Sequence, residues 1–593
     1  MKKLIILIFF MVLSVRVSAV NIETPQIVSE MRVNITENGF VELSSTTYSL
    51  ELNVSIPQED SYQHLEKFDV RDSYGPCKTD SCSYEFVYDT YGNKMLIIKW
   101  KNPPNTINYT INSIFSIYRR NDVDKKILKD FIEPTNLVQS TDSEIANLAS
   151  KARGNDFEKV AFLSKWIGEN IVYDKIFSDT SLSAKEILQI RKGVCKEFSN
   201  LLVSFLRNLG YYSAVDVGYV YPGKIYETNE FQPHGWTEVY TDNGIIADPT
   251  WSEVGYLDAT HVKFATFPDS NWNFTSADAK GKGDLKIKLG NVDVKFDILD
   301  LKEEPLVNAN SSFLANDIWS GYAVLRTDLR SERCILTKID YKSCVDNSKD
   351  FLSLIDTQNI VYFCNAKSVF TIFKIPELDE SKSYTCPISV VPYAGTDYNE
   401  QLILNFKESG YSKLIVEKSS LKPGEKFSVS ALDSYIFTDY GDYGYEKAEF
   451  TAPNYDFKVY SYNSGYLDSE NVHVVLEKPF DILLEVNETA LVGQQMPVKV
   501  MVENLLNESQ NIKVTFRKDY YSATLSDSKE FVFNFTPENV DDNLIQVFVS
   551  SSDFSTSVSK IIAVTKQEDI LGSIWSSIID FFKWLFSLFR VNL

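Results

Sequence analysis

The sequence predicts a multidomain chain in which one α+β core is flanked by all-β sandwich modules and followed by an amphipathic helix. Three observations carry this. At 593 residues the chain is several times longer than one hydrophobic core can serve. Most of it alternates apolar and polar residues in short runs separated by turn clusters, and its 33 Tyr and 38 Phe favour strands. Around residues 141–210 the period changes from two to 3.6.

The N-terminus reads as an address. Lys2 and Lys3 form a basic region, Leu4 to Leu13 an apolar run, and Val17-Ser18-Ala19 a small-residue cleavage site, so residues 1–19 are expected to be a secretory signal. Sequons at Asn34, Asn53, Asn108, Asn273, Asn310, Asn487, Asn507 and Asn534 fit an exported, glycosylated chain. A formal charge of −22, spread along the chain, argues against nucleic acid or an anionic headgroup surface as the main partner.

Residues 20–122 alternate as a β-sandwich should, for example Tyr48 to Val54 and Lys94 to Trp100, with turns at Tyr91-Gly-Asn and Asn102-Pro-Pro-Asn105. No reactive constellation appears there, and His64 reads as a surface or packing residue. A core follows, expected over 123–283. Thr141-Asp-Ser-Glu144, Asn155-Asp-Phe-Glu158 and Ser183-Ala-Lys-Glu186 each have the pattern of a capping box opening a helix. A fourth helix of about 14 residues carries Phe198, Leu201, Leu202, Phe205, Leu206 and Leu209 on one stripe and is closed by Gly210.

Cys195 stands at the start of that helix. The positive end of the helix dipole and the free N–H groups of a first turn favour a thiolate there and can receive an oxyanion. The chain has seven cysteines, an odd number for an exported protein. Cys77 and Cys82 are close neighbours, and Cys334, Cys344, Cys364 and Cys386 fall in one later segment, so pairing within the two groups leaves Cys195 alone. Strands follow at Tyr212–Tyr221, Gly235–Tyr240 and Ile245–Asp248, with His234 opening the second and Asp248 ending the third. A thiol, an imidazole and a carboxylate in this order make the inventory of a cysteine acyl-transfer enzyme.

Register tests the assignment. A tight Asn243-Gly244 turn would pair Val239 with Asp248 and His234 with Glu253, about 16 Å too far along at roughly 3.3 Å per residue. A wider loop centred near Thr241, with 234 opposite 248, is therefore expected.

Gly193-Val-Cys-Lys-Glu-Phe-Ser-Asn-Leu-Leu202, Leu206-Arg-Asn-Leu-Gly210, Gly218-Tyr219, His234-Gly-Trp-Thr-Glu-Val-Tyr240 and Asp248-Pro-Thr250 resemble the core of the transglutaminase-like superfamily. The resemblance covers about 125–283, and Lys165 to Asp174 resembles that family's helix before the nucleophile. It implies a papain-like cysteine fold with Cys195 as nucleophile, His234 as base and later acid, and Asp248 orienting the imidazole. It also implies a thioester made from a protein or peptide amide and resolved by water or an amine acceptor. Ile245 and Ala214 stand where many relatives carry Trp and Arg. No cofactor is implied; some animal relatives need calcium, but no EF-hand spacing occurs and Asp439-Tyr-Gly-Asp442 is too sparse for a metal site. The alternative is a catalytically inactive scaffold in a surface adhesion protein.

The remainder reads as accessory modules at 284–410, 411–479 and 480–566. Tyr384-Thr-Cys386 resembles the tyrosine corner of immunoglobulin-like sandwiches, which gives these modules their expected fold. Residues 567–593 close the chain. Within them 570–589 is dense in Ile, Leu, Phe and Trp with one narrow polar stripe, as in a helix that lies on or associates within a membrane. The location expected is the extracellular face of the cell membrane.

Overall fold

The computed structural model describes residues 25–566 except 124–126, 223–229, 319, 347–348, 380, 406–409, 507 and 553. The expected signal at 1–19 and the expected helix at 570–589 lie outside the described residues. Among the described residues no helix is long and apolar enough to cross a membrane.

The first module is a two-sheet sandwich, but it is not closed by its own sequence. One sheet is built on Val28–Leu43 between Thr106–Tyr118 and Asp293–Glu303; the other runs Thr275–Gly281, Thr47–Ser55, Lys94–Lys101, Cys82–Tyr88. Val41, Leu50, Leu52, Ile98 and Ile111 fill the space between them. Strands from residues 275–303 thus return to complete it, pairing Thr275 with Val54 and Ile298 with Val33. Strands on both sides of the boundary expected at 283 belong to the first sandwich, into which the core is inserted. Alternation tells a strand which face is buried but not which partner it pairs with, so the return was invisible to it.

Four helices form the first half of the core: α1 (Ser143–Ala149), α2 (Asp156–Asn170), α3 (Ala184–Ile190) and α4 (Cys195–Asn208). Asn155 with Glu158 and Ser183 with Glu186 form reciprocal capping boxes. At α1 the cap is Asp142, which accepts the Glu144 N–H, one residue later than expected. Phe198, Leu201, Leu202, Phe205 and Leu206 bury the stripe of α4 against α1, α2 and α3. Gly210, at φ +90°, turns the chain out of the helix. Because α4 is buried nearly all round, the last residues of its polar side also find partners: Arg207 donates to the carbonyl of Ser213.

The core sheet runs Val262–Phe267, Tyr212–Val220, Gln232–Tyr240, Ile245–Asp248, Glu253–Val254 and continues into the next module through Ile335–Lys342, Tyr384–Pro392 and Tyr398–Leu404. That module is a second sandwich, its other sheet formed by 308–313, 322–330, 366–374 and 353–357. Disulfides Cys334–Cys364 and Cys344–Cys386 tie it, and Cys77–Cys82 ties the first sandwich. Tyr384 accepts the Asp379 N–H through its hydroxyl oxygen at 3.3 Å, as a tyrosine corner does. Two further β-modules cover 415–474 and 480–565. The last folds back on the helices: Arg153 lies 4.0 Å over the Phe554 ring, and Asn208 donates to Ser557.

Candidate active site

The start of α4 is built by Glu197. Its carboxylate accepts the Val194 N–H at 3.1 Å and the Leu182 N–H at 3.3 Å, which orients the turn and makes Cys195 the first helical residue. A Cβ on Gly193 would lie 2.8 Å from the Cβ of Glu197, so this approach needs glycine. Ser199, one turn on, donates to the Gly235 carbonyl at 2.9 Å and clamps the helix to the strand that carries His234.

That strand has two neighbours. On one side His234 is opposite Gly218, where any Cβ would lie 2.0 Å from the Val262 carbonyl oxygen. On the other, Thr237 pairs with Ala247 and Val239 with Ile245, with residues 240–244 as the connection. The turn is wider than Asn243-Gly244, but the register expected from sequence is corrected: one step further along, Asp248 falls opposite Trp236, not His234. His234 is two residues on, on the same face, a diagonal of about 7–8 Å that an imidazole can bridge. It does so, with Nε2 2.7 Å from Asp248 Oδ2. The other carboxylate oxygen accepts the Thr250 N–H at 2.8 Å.

With Nε2 held by Asp248, Nδ1 is left for Cys195, whose sulfur lines the same cavity as the ring and favours its charge. The structure therefore brings together all three residues singled out in the sequence. Cys195 is buried and is the only cysteine among the described residues outside a disulfide. Burial disfavours a charged imidazole, but Asp248 and Cys195 outweigh it and raise His234 to about 9. Burial likewise opposes the Asp248 carboxylate, yet His234 and His261 hold it well below the ordinary range. At neutral pH the site thus rests as imidazolium and carboxylate.

Cys195 and His234 open on a cavity of about 410 Å³ lined by Tyr173, Trp251 and Trp272 with Lys175 and Lys196 among its polar groups, and Asp248 lies behind them. Trp251 stacks on His234, ring centroids 5.1 Å apart, and covers one face of the imidazole.

Sequence reasoning missed what lies behind Asp248. His261 directs Nε2 at the same Asp248 oxygen, at 3.4 Å, and Nδ1 at Asp258 Oδ2, at 3.5 Å. Its burial disfavours charge, but Asp258 and Asp248 raise it to about 9. Glu253 is fully buried directly across from Asp248 in the next strand, with a pKa raised well above the ordinary carboxyl range by burial. The available signal was the rarity of histidine: the chain has four, and two meet here.

Residues 144–254 match the model of the transglutaminase-like superfamily. No curated protein matches the chain. Among solved structures, it is similar to a candidate cysteine protease from Cytophaga hutchinsonii at 20% identity, covering 46% of this chain and 91% of that one, with a TM-score of 0.34. Red sea bream transglutaminase is similar at 8% identity, with 87% and 95% covered and a TM-score of 0.19. The N-terminal four immunoglobulin domains of Dscam1 are similar at 11% identity, with 51% and 84% covered and a TM-score of 0.20. Cys195, His234 and Asp248 all lie within the residues that match this superfamily's model.

Proposed function

We propose that the chain is an extracytoplasmic cysteine acyl-transfer enzyme acting on protein or peptide amides. The observation that supports this most directly is the 2.7 Å pair of His234 and Asp248 turned toward the one unpaired cysteine at a helix start. Cys195 Sγ attacks the amide carbonyl carbon, and the first-turn N–H groups of α4 receive the developing oxyanion. His234 gives its proton to the departing amine as the C–N bond breaks, leaving a thioester. Water or a second amine, deprotonated by His234, then attacks the thioester, the C–S bond breaks and the thiol is restored. Asp248 holds the ring and its charge throughout.

Three disulfides beside one free thiol support an oxidising compartment. In this reading residues 1–19 direct export and 570–589 hold the protein at the membrane face, with the sandwich modules as its extracellular frame.

The test is incubation with a glutamine-containing protein and a labelled primary amine, with acid-quenched mass analysis of the enzyme for the acyl adduct. Wild type should form the adduct on Cys195, and Cys195→Ala should form none. Equal labelling of substrate by both, with no adduct in either, overturns the reading in favour of a non-catalytic scaffold.

A further inference from the structure

Behind Asp248 a second cluster is left unexplained by the acyl-transfer chemistry. Both oxygens of Glu253, Oδ2 of Asp258 and Nδ1 of His261 are buried without a hydrogen bond, the last two facing each other as a charge pair at 3.5 Å. The three residues are 0%, 1% and 5% exposed. Orphaned buried polar atoms are rare, and several converging on one point call for a missing ligand. One donor atom from each lies within 4.8 Å of the others. Arg119, whose charge reaches Asp258 and Glu253, spends Nη2 on the carbonyls of Ile27 and Glu304.

We propose that Glu253, Asp258 and His261 bind a divalent transition-metal cation, with Zn²⁺ the best fit. Two carboxylates balance the charge of a dication, and a neutral imidazole ligand adds none. A site with roughly 2.0–2.2 Å bonds has ligand atoms about 3.3 Å apart when tetrahedral, which small side-chain rotations reach. The imidazole donor and the small number of oxygens disfavour Ca²⁺ and Mg²⁺, which want six or more oxygen ligands.

The surroundings match a metal-bound histidine. Such a histidine ligates through one nitrogen and donates the other N–H to a carboxylate. His261 does this toward Asp248 Oδ2, while Asp258 has its other oxygen fixed by the Thr260 N–H at 2.7 Å. The neighbouring trio of His234, Asp248 and His261 also converges, but there each histidine already spends Nε2 on the shared carboxylate oxygen. The cation would replace the proton on His261 Nδ1, set the tautomer that donates to Asp248, and so position the catalytic carboxylate. The segment it ties, 253–261, joins the inner core sheet to the strand Val262–Phe267.

The site is independent of acyl transfer, and its test needs no substrate. Full-length chain is stripped with chelator, loaded with Zn²⁺, gel-filtered and measured for metal, with calorimetric titration of Zn²⁺, Mn²⁺ and Ca²⁺. The expected result is close to one Zn²⁺ per chain, a higher melting temperature on loading, and full retention in Cys195→Ala and His234→Ala. Glu253→Gln and Asp258→Asn should bind at least about 100-fold more weakly, beyond the loss expected from outer-shell changes. Because those variants could misfold, Co²⁺ is also loaded into wild type: visible absorption of a low-symmetry nitrogen and oxygen site is expected, without a thiolate charge-transfer band. No metal retained, unchanged retention in Glu253→Gln, preference for Ca²⁺, or a thiolate band each overturns the proposal. The first outcome would mean that Glu253 and Asp258 share a proton.

Discussion

His234 and Asp248 meet at 2.7 Å although strand pairing sets them two residues out of register. The contact is therefore made by side chains along a diagonal and not by directly opposed residues. Such a pair depends on what fixes the imidazole rotamer: Asp248 on Nε2 and Trp251 against the ring face.

Replacing Asp248 with asparagine keeps the shape and removes the charge. The introduced amide can also favour the wrong imidazole tautomer. For Asp248→Asn, kcat/KM on an amide substrate should fall by about 10²–10⁴-fold through kcat, with KM little changed. Steady-state kinetics on purified variant and wild type check this, and an unchanged kcat would remove Asp248 from the mechanism.

The imidazolium must donate a proton to the leaving amine, so acylation should decline as His234 titrates near about 9. Without Asp248 that alkaline limb should move down. Stability follows the same groups. The His234 pKa is raised above its ordinary 6.5, so its contribution is full below that value and lost as pH rises through about 9. The Asp248 pKa is depressed below 3.8, so its contribution is present above that value and lost as pH falls. Thermal melts of wild type and Asp248→Asn should differ most between these limits, at roughly pH 4–6.5, and converge above about pH 9.

Ser199→Ala removes the hydroxyl that clamps α4 to the His234 strand and leaves the Gly235 carbonyl buried without that donor. A loss of about 1–3 kcal/mol in urea unfolding is expected. A lower kcat should accompany it, because the clamp sets the spacing between thiol and imidazole. An unchanged unfolding midpoint would show that the hydroxyl carries no part of this geometry.

Alkylation in denaturant without reductant should label Cys195 alone, and peptide mapping under the same conditions should return Cys77–Cys82, Cys334–Cys364 and Cys344–Cys386. Removing Cys344–Cys386 as a pair of serines should cost about 2–4 kcal/mol. Label on any second cysteine would show a different connectivity.

Legibility followed the range of the interactions. The helices of the core were readable because a capping residue, a glutamate three positions on and a 3.6-residue stripe are all local; Asn155 with Glu158 and Ser183 with Glu186 show it. The lone status of Cys195 was readable from cysteine spacing, but not which of Cys344, Cys364 and Cys386 meets Cys334. His261 was not readable, because nothing near it in sequence resembles the triad. It joins the site only because Val262–Phe267 pairs beside Tyr212–Val220, bringing it behind Asp248.

By itself, then, the sequence determined the chemical inventory: a helix-start cysteine, one histidine and one aspartate downstream, and strands on either side of a helical segment. These are matters of residue type, local period and capping, which each stretch carries alone. Only the tertiary structure decided the diagonal by which His234 reaches Asp248, the return of residues 275–303 to the first sandwich, and the Glu253, Asp258 and His261 cluster behind the site. Register and strand order arise from pairing between distant segments, and a strand's alternation names its buried face without naming its neighbour.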